Sequence, residues 1–294
     1  MRLINPRDTQ PGDVADRAGG GGGDRPGGAE PGVVSATRRD GSVLRRPADR
    51  RAGNGEDDPL RHWNRLRIAA DEARYGPQAR VRLISVRPQD PASAAFDLLR
   101  TRMVRALQAR GWSRVAVTAP SAGCGSSFTA ANLAVSLSRL GNLRTLLLDL
   151  NLRAPGLARA FDIRNVGALE PVLAGQRAPE RHLFRIGANF ALGLNDTAAP
   201  DAAERLQHPK TWRVLDDLQQ RLRPDVSLYD LPPMLNSDDA EAILPKVDGV
   251  LLVADGTRTT ARQIAECERL LDGQVPLLGV VLNRSGDVPK RRAR

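Results

Sequence analysis

The residues best suited to chemistry in this sequence are Gly123-Cys124-Gly125-Ser126-Ser127-Phe128, a glycine turn followed by two hydroxyls. In such a loop the glycines let backbone N–H groups turn inward around an anion, and a helix starting there adds partial positive charge beneath a phosphate. In the standard phosphate-binding loop a lysine reaches the β and γ phosphates and the next hydroxyl ligates magnesium. Ser127 supplies that hydroxyl, but Ser126 stands where the lysine should be. The chain's lysines are Lys210, Lys246 and Lys290, all far downstream. Phosphate binding then falls to backbone amides, to magnesium and to an arginine folded in from elsewhere. Transfer chemistry suffers more, because losing one preorganised donor to a developing anion costs about 10²–10³ in rate.

Two carboxylates and one amide are the other candidates. Asp149 ends the apolar run Thr145-Leu146-Leu147-Leu148, Asp230 follows Val226 to Tyr229, and Asn283 follows Leu277 to Leu282. Continuous apolar runs of this length read as buried parallel strands. Ligands bind beyond the carboxyl ends of strands in open α/β sheets, so these three polar groups share a rim with the glycine loop.

Elements able to position them can be read on either side. Val115 to Thr118 is a strand leading into the loop, and Thr129 to Leu140 is a helix leaving it, with Ala130, Leu133, Ala134, Leu137 and Leu140 at helical spacing. Ala92 to Ala109, Thr211 to Leu222, Ala240 to Leu244 and Thr260 to Leu271 read as further helices, and Gly249 to Ala254 as a further strand. Strands alternating with helices predict an α/β protein, a parallel-sheet P-loop NTPase fold with helices on both faces.

Composition divides the 294 residues into three parts. Residues 1–80 are rich in glycine, proline and arginine without apolar periodicity and are expected to form a mostly disordered tail, with Leu60 to Arg74 a short amphipathic helix within it. Residues 81–286 form the α/β domain, and 287–294 a basic tail whose end, Lys290 to Arg294, reads either as a solubilising stretch or as a contact to anionic lipid. The net charge of +10 is carried by arginines scattered through tail and core, often beside acids, and aromatics that could stack on bases are few. A nucleic-acid partner is therefore not expected. No transmembrane run or secretory signal is read, which implies a cytoplasmic protein. Two cysteines, Cys124 and Cys267, argue against a disulfide framework; Cys124 is either a small residue filling a variable loop position or a thiol activated by the helix N-terminus.

From Val81 to Arg284 the chain resembles the bacterial tyrosine kinases of capsule and exopolysaccharide production, the CpsD/CapB type, within the ParA- and MinD-like P-loop ATPases. The family's first Walker motif lies at Thr118 to Phe128, followed by Ala131-Asn132-Leu133-Ala134. Its second, strand-Asp-x-Asp-x-Arg-x-Pro, is Leu147-Leu148-Asp149-Leu150-Asn151-Leu152-Arg153-Ala154-Pro155. Its Walker B is Tyr229-Asp230-Leu231-Pro232-Pro233, with Ser237-Asp238 and Val247-Asp248-Gly249-Val250 after it, and Gly279 to Asn283 matches the segment whose asparagine faces adenine in related ATPases.

The resemblance implies ATP or ADP with magnesium as ligands. Gly123, Cys124, Gly125, Ser126, Ser127, Phe128, Arg153 and Asn283 would hold the nucleotide, Ser127, Asp149 and Asp230 the metal, with Asp149 and Asp230 as the residual catalytic carboxylates. It also implies a membrane-anchored polysaccharide co-polymerase or activator as partner, placing the chain at the inner face of the plasma membrane, and a homo-oligomer. The departures cluster in the chemistry. Ser126 replaces the lysine, and Asn151 replaces the second carboxylate of Asp-x-Asp, so it brings no charge for magnesium or proton abstraction. The family's tyrosine cluster has no counterpart after Arg284, the two tyrosines being Tyr75 and Tyr229. The ring-forming Glu-x-x-Arg-x-x-Arg of the helix before the loop is reduced, within Ala94 to Arg100, to Arg100 alone, with Asp97 reversing a charge. These features together lead us to expect a catalytically impaired regulatory or adaptor member. An active ATPase or kinase using Arg153 in place of the lysine, and a ParA/MinD-like positioning protein, are the alternatives.

Overall fold

A computed structural model describes residues 2–4, 59–69 and 83–285. The remainder of the expected tail, the C-terminal part of the Leu60 to Arg74 helix, Tyr75 and the 287–294 segment lie outside the described residues.

Among the described residues nine strands form one sheet, and the five longest are the runs read from the sequence. They are β1 (Arg2–Ile4), β2 (Arg67–Ile68), β3 (Arg114–Thr118), β4 (Thr145–Asp149), β5 (Phe184–Ile186), β6 (Phe190–Gly193), β7 (Val226–Asp230), β8 (Gly249–Asp255) and β9 (Leu277–Asn283). Their order is β1-β9-β8-β3-β7-β4-β6-β5-β2. All neighbours are parallel except β1 with β9 and β5 with β6. The loop-bearing strand β3 is thus flanked by β7 and β8, which brings Asp230 and Asp255 to its sides.

Alternation along a strand assigns side chains to two cores. Leu146 and Leu148 of β4 join one cluster and Leu147 the other. The first cluster is covered by α1 (Pro59–Arg65), α5 (Glu170–Leu173), α6 (Ala202–Gln207), α7 (Pro209–Leu222) and α8 (Ala261–Leu271). The second lies under α2 (Pro91–Arg110), α3 (Ser126–Ser138) and α4 (Leu157–Ala160). Helices therefore cover both faces, as the strand-helix alternation predicts.

Local signals explain the helix ends. Asp90 caps α2 by accepting from Ala92 N at 3.0 Å, and Gly111 closes it in the left-handed region at φ 67°. A capping box of Thr260 and Gln263 starts α8. The helix expected over Ala240 to Leu244 is instead a 3-10 helix, Glu241–Lys246, containing Pro245, which has no N–H to offer an α-helical ladder.

Two stretches assigned to the tail are part of the folded body. Arg2–Ile4 pairs with β9. In 59–69, Trp63 and Leu66 are buried in the first core, Trp63 Nε1 donates to Ala188 O at 2.7 Å, and the Arg144 guanidinium lies 5.7 Å from the Trp63 ring. The short amphipathic helix expected from Leu60 does form, over Pro59–Arg65, but its packing onto the core, through a lone tryptophan among arginines, has no signal in the local pattern. Tyr229 of β7 is wholly buried, and that burial pushes its phenol above its ordinary pKa.

Candidate functional site

The loop between β3 and α3 keeps the geometry a phosphate cradle needs. Gly123 and Gly125 have φ of 80° and 95°, the left-handed region open to glycine, and Gly125 is the residue before the first turn of α3. Gly125 also lies so close to Asn283 Nδ2 that a Cβ would collide with it. That contact comes from Asn283 tying down the loop: its Nδ2 donates to Cys124 O at 3.0 Å. The helix behind the loop is pinned too, Asn132 donating to Phe128 O and accepting from Ser85 N.

Beneath the loop the two carboxylates meet. Asp149 and Asp230 are register partners on β4 and β7, so their side chains share a face at one strand spacing, about 4.8 Å. Asp149 Oδ2 accepts from Gly156 N and Leu157 N at 3.1 and 3.0 Å, which caps the turn into α4. Its Oδ1 and both Asp230 oxygens are buried without a hydrogen-bond partner among protein atoms. Burial raises the pKa of Asp149, with the Leu157 and Gly156 N–H groups opposing it. Burial raises that of Asp230 further, the neighbouring Asp149 charge adds to the rise, and the Ser127 hydroxyl draws it part of the way back. Ser127 Oγ is also 3.3 Å from where a Cβ on Gly156 would stand. Ser127, Asp149 and Asp230 thus converge beneath the loop.

A cleft of about 820 Å³ opens above these groups, lined by Gly123, Gly125 to Phe128, Asn151, Arg153, Arg159 and the Pro232 to Asp239 segment. The Walker B turn is held against β3 by Thr118 Oγ1 donating to Pro232 O at 2.6 Å. Asn151 lines the cleft with its Oδ1 turned to Ala154 N at 3.3 Å. Arg153 is committed elsewhere. Its Nε and Nη2 fork onto the buried Asp239 carboxylate at 2.8 and 2.9 Å, and its Nη1 donates to Pro200 O. The fork holds Asp239 below the usual carboxylate range. Neither lysine among the described residues reaches the cleft: Lys246 pairs with Asp216 and Lys210 opens α7.

A group the sequence reading missed adjoins the loop. The buried Asp255, at the end of β8, takes Thr257 Oγ1 and N through Oδ1, and Arg258 Nε and Arg284 Nη1 through Oδ2 at 3.1 and 2.6 Å. The Thr257 contacts, then the two guanidiniums, keep its carboxyl well below the usual range despite desolvation. Arg284 Nη1 also reaches Gly123 O at 3.3 Å, and Arg258 Nη2 lies 3.0 Å from a Cβ position on Gly123. Asp255-Gly256-Thr257 after a strand was the available signal; as an isolated acid beside an arginine it reads as a solvated turn. Cys124 is buried between the Ser121 and Thr259 hydroxyls, both 3.5 Å from Sγ.

On the outer face, Asp97 of α2 accepts from Ser136 Oγ at 2.6 Å and pairs with Arg139, while Arg100 Nη1 donates to Ser136 O at 2.9 Å. The charge reversal at Asp97 is thus matched inside the chain by Arg139, the residue that caps the end of α3.

No protein-family model matches the chain. It is 33% identical over 201 residues to the putative tyrosine-protein kinase EpsB of Ralstonia solanacearum, covering 67% of this chain and 26% of that protein. To the tyrosine-protein kinase YwqD of Bacillus subtilis it is 30% identical over 205 residues, covering 67% of this chain and 82% of YwqD. The chain thus spans about a quarter of EpsB but most of YwqD. Among solved structures, the BceF tyrosine kinase domain matches with TM-score 0.61 and 27% identity, over 79% of this chain and 98% of that one. The kinase domain of the Escherichia coli tyrosine kinase ETK matches with TM-score 0.64 over 78% and 91%, at 22% identity, which speaks for the fold alone. With the loop, the paired carboxylates and the asparagine-ended last strand in order on this sheet, the chain belongs to the bacterial tyrosine-kinase family.

Proposed function

We propose that this chain is a family member that binds nucleotide but has lost most of its phosphoryl-transfer capacity, and that it serves as a regulatory or adaptor subunit in exopolysaccharide or capsule synthesis and export. The observation that carries this reading is Ser126 at the head of α3, in a cleft whose other parts remain. Three buried carboxylate oxygens without partners cost free energy unless a cation or proton meets them, which fits a divalent ion held by Ser127, Asp149 and Asp230. A bound magnesium would supply charge neutralisation for phosphate oxygens. The backbone N–H groups of Gly123 to Phe128 bind and orient those oxygens, and the Pro232 turn limits water on one side. Neutral Asn151 cannot take a proton, and no ammonium among the described residues stands at the loop to meet charge developing on a transferred phosphoryl group. The reading with Arg153 as a working substitute is not favoured, because all three of its donor nitrogens are already engaged.

The partner side of the reading rests on the family resemblance, which implies a membrane-anchored co-polymerase or activator at the inner face of the plasma membrane. No helix among the described residues is long and apolar enough to cross a membrane. Calorimetry and turnover with Mg-ATP, comparing the native chain with Ser126→Lys, test the proposal. Binding by both with at least about 10²-fold faster turnover in Ser126→Lys is expected. Native turnover equal to that of the lysine variant and abolished by Asp149→Ala would refute it.

A further inference from the structure

The positive charge removed from the glycine loop at Ser126 has a counterpart one strand away. Two guanidiniums, Arg258 and Arg284, share the single buried carboxylate of Asp255, so the cluster carries one net positive charge, the same as the missing lysine. The two arginines differ in what they have left to offer. Arg284 Nη1 is occupied by Asp255 and by Gly123 O. Arg258 is held through Nε alone, which fixes its plane and leaves the Nη1/Nη2 edge without a hydrogen bond to the described protein groups. That edge rests against Gly123, with Nη2 3.0 Å and Nη1 3.8 Å from a Cβ position on a residue that itself lines the cleft. A side chain at Gly123 would occupy the space, so the left-handed glycine both shapes the cradle and admits the guanidinium. The rival cations are taken: Arg153 is forked onto Asp239, and Arg159 has partners of its own.

We infer that Arg258 is the phosphate-contacting cation of this site, its Nη edge meeting a nucleoside diphosphate moiety where the bound chain passes Gly123. The inference rests on the nucleotide-binding reading above. A planar fork oriented by a buried carboxylate suits bidentate contact with phosphate oxygens better than a flexible ammonium does. Its place also differs in consequence. A lysine at position 126 would extend from the head of α3 toward the β and γ phosphates, whereas Arg258 approaches from the β8 side of the loop. It therefore strengthens holding of the diphosphate without serving the transferred group, and ADP should bind at least as tightly as ATP.

Calorimetry with Mg-ADP and Mg-ATP on the native chain, Arg258→Ala, Arg258→Lys and Arg153→Ala tests this, with ligand-free melting curves to confirm folding. Expected are a tenfold or greater loss of ADP affinity in Arg258→Ala, partial recovery in Arg258→Lys, a smaller loss in Arg153→Ala and cooperative ligand-free melting of the Arg258 variants. Native binding left intact by Arg258→Ala overturns the inference while sparing the nucleotide-binding reading. Native protein that binds neither nucleotide overturns both. If Arg258→Ala does not fold, the titration is read on Arg258→Gln, where undiminished ADP affinity likewise overturns the assignment.

Discussion

Replacing Asp230 with asparagine should stabilise the ligand-free protein. The two carboxylates sit on register-paired residues of adjacent strands, about 4.8 Å apart at the backbone, which sets the scale for the separation of their charges. At an effective dielectric near 20 their repulsion is about 3 kcal/mol when both are ionised, and burial adds a penalty of the same sign. Asp230 stands to lose only its Ser127 hydroxyl contact, and the new amide can donate to Asp149 Oδ1, which has no partner. The sign with pH is fixed by the raised pKa values. The folded state keeps a proton that the unfolded chain releases near pH 4, so the native protein's stability falls as pH rises from there through the folded pKa values. Asp230→Asn should thus gain little at pH 4.5 and about 2–3 kcal/mol at pH 8, equivalent to a melting temperature higher by about 4–12 °C. Comparing the two proteins at each pH cancels other titrations, including that of buried His182, whose pKa burial lowers. Magnesium should narrow the gap by stabilising the native protein alone. A variant that melts lower at pH 8, or gains equally at both pH values, would show that the pair is not the strained element argued here.

Other substitutions probe how the site is held. Gly125→Ala places a Cβ into Asn283 at a left-handed φ and should cost about 1–3 kcal/mol; adding Asn283→Ala should recover the steric part, read as coupling in a double-mutant denaturation cycle. Trp63→Ala should cost about 3–5 kcal/mol by urea denaturation, because its ring fills the first core and its Nε1 bond to Ala188 O is lost; a surface-like value below about 0.5 kcal/mol would return 59–69 to the tail.

What could be read in advance follows from how strongly each feature repeats along the chain. The runs at 145–149, 226–230 and 277–283 announce strands because every residue is apolar or β-compatible until the closing Asp or Asn, and the glycine loop has a spacing of its own. The ends of the first two bring Asp149 and Asp230 together beside Ser127 at the head of α3. The β5–β6 hairpin was missed because its strands are three and four residues long and Arg185 interrupts the first. The Asp255 cluster was missed for a different reason: its members are separated by up to 29 residues and each alone resembles an ordinary exposed charge. Arg153 carried the expected position in the motif, but its fork onto Asp239, 86 residues away, is a tertiary fact with no local trace.

The burial of Tyr229 sets a limit on how this chain can be labelled by a kinase. It is the single tyrosine among the described residues, and its hydroxyl lies within the sheet core on the strand that ends in Asp230. A phosphate there could not be accommodated without parting β7 from its neighbours. Phosphotyrosine detected at Tyr229 would therefore report that the body had opened, before or after folding. Peptide mapping of modified protein would in this way double as a conformational readout.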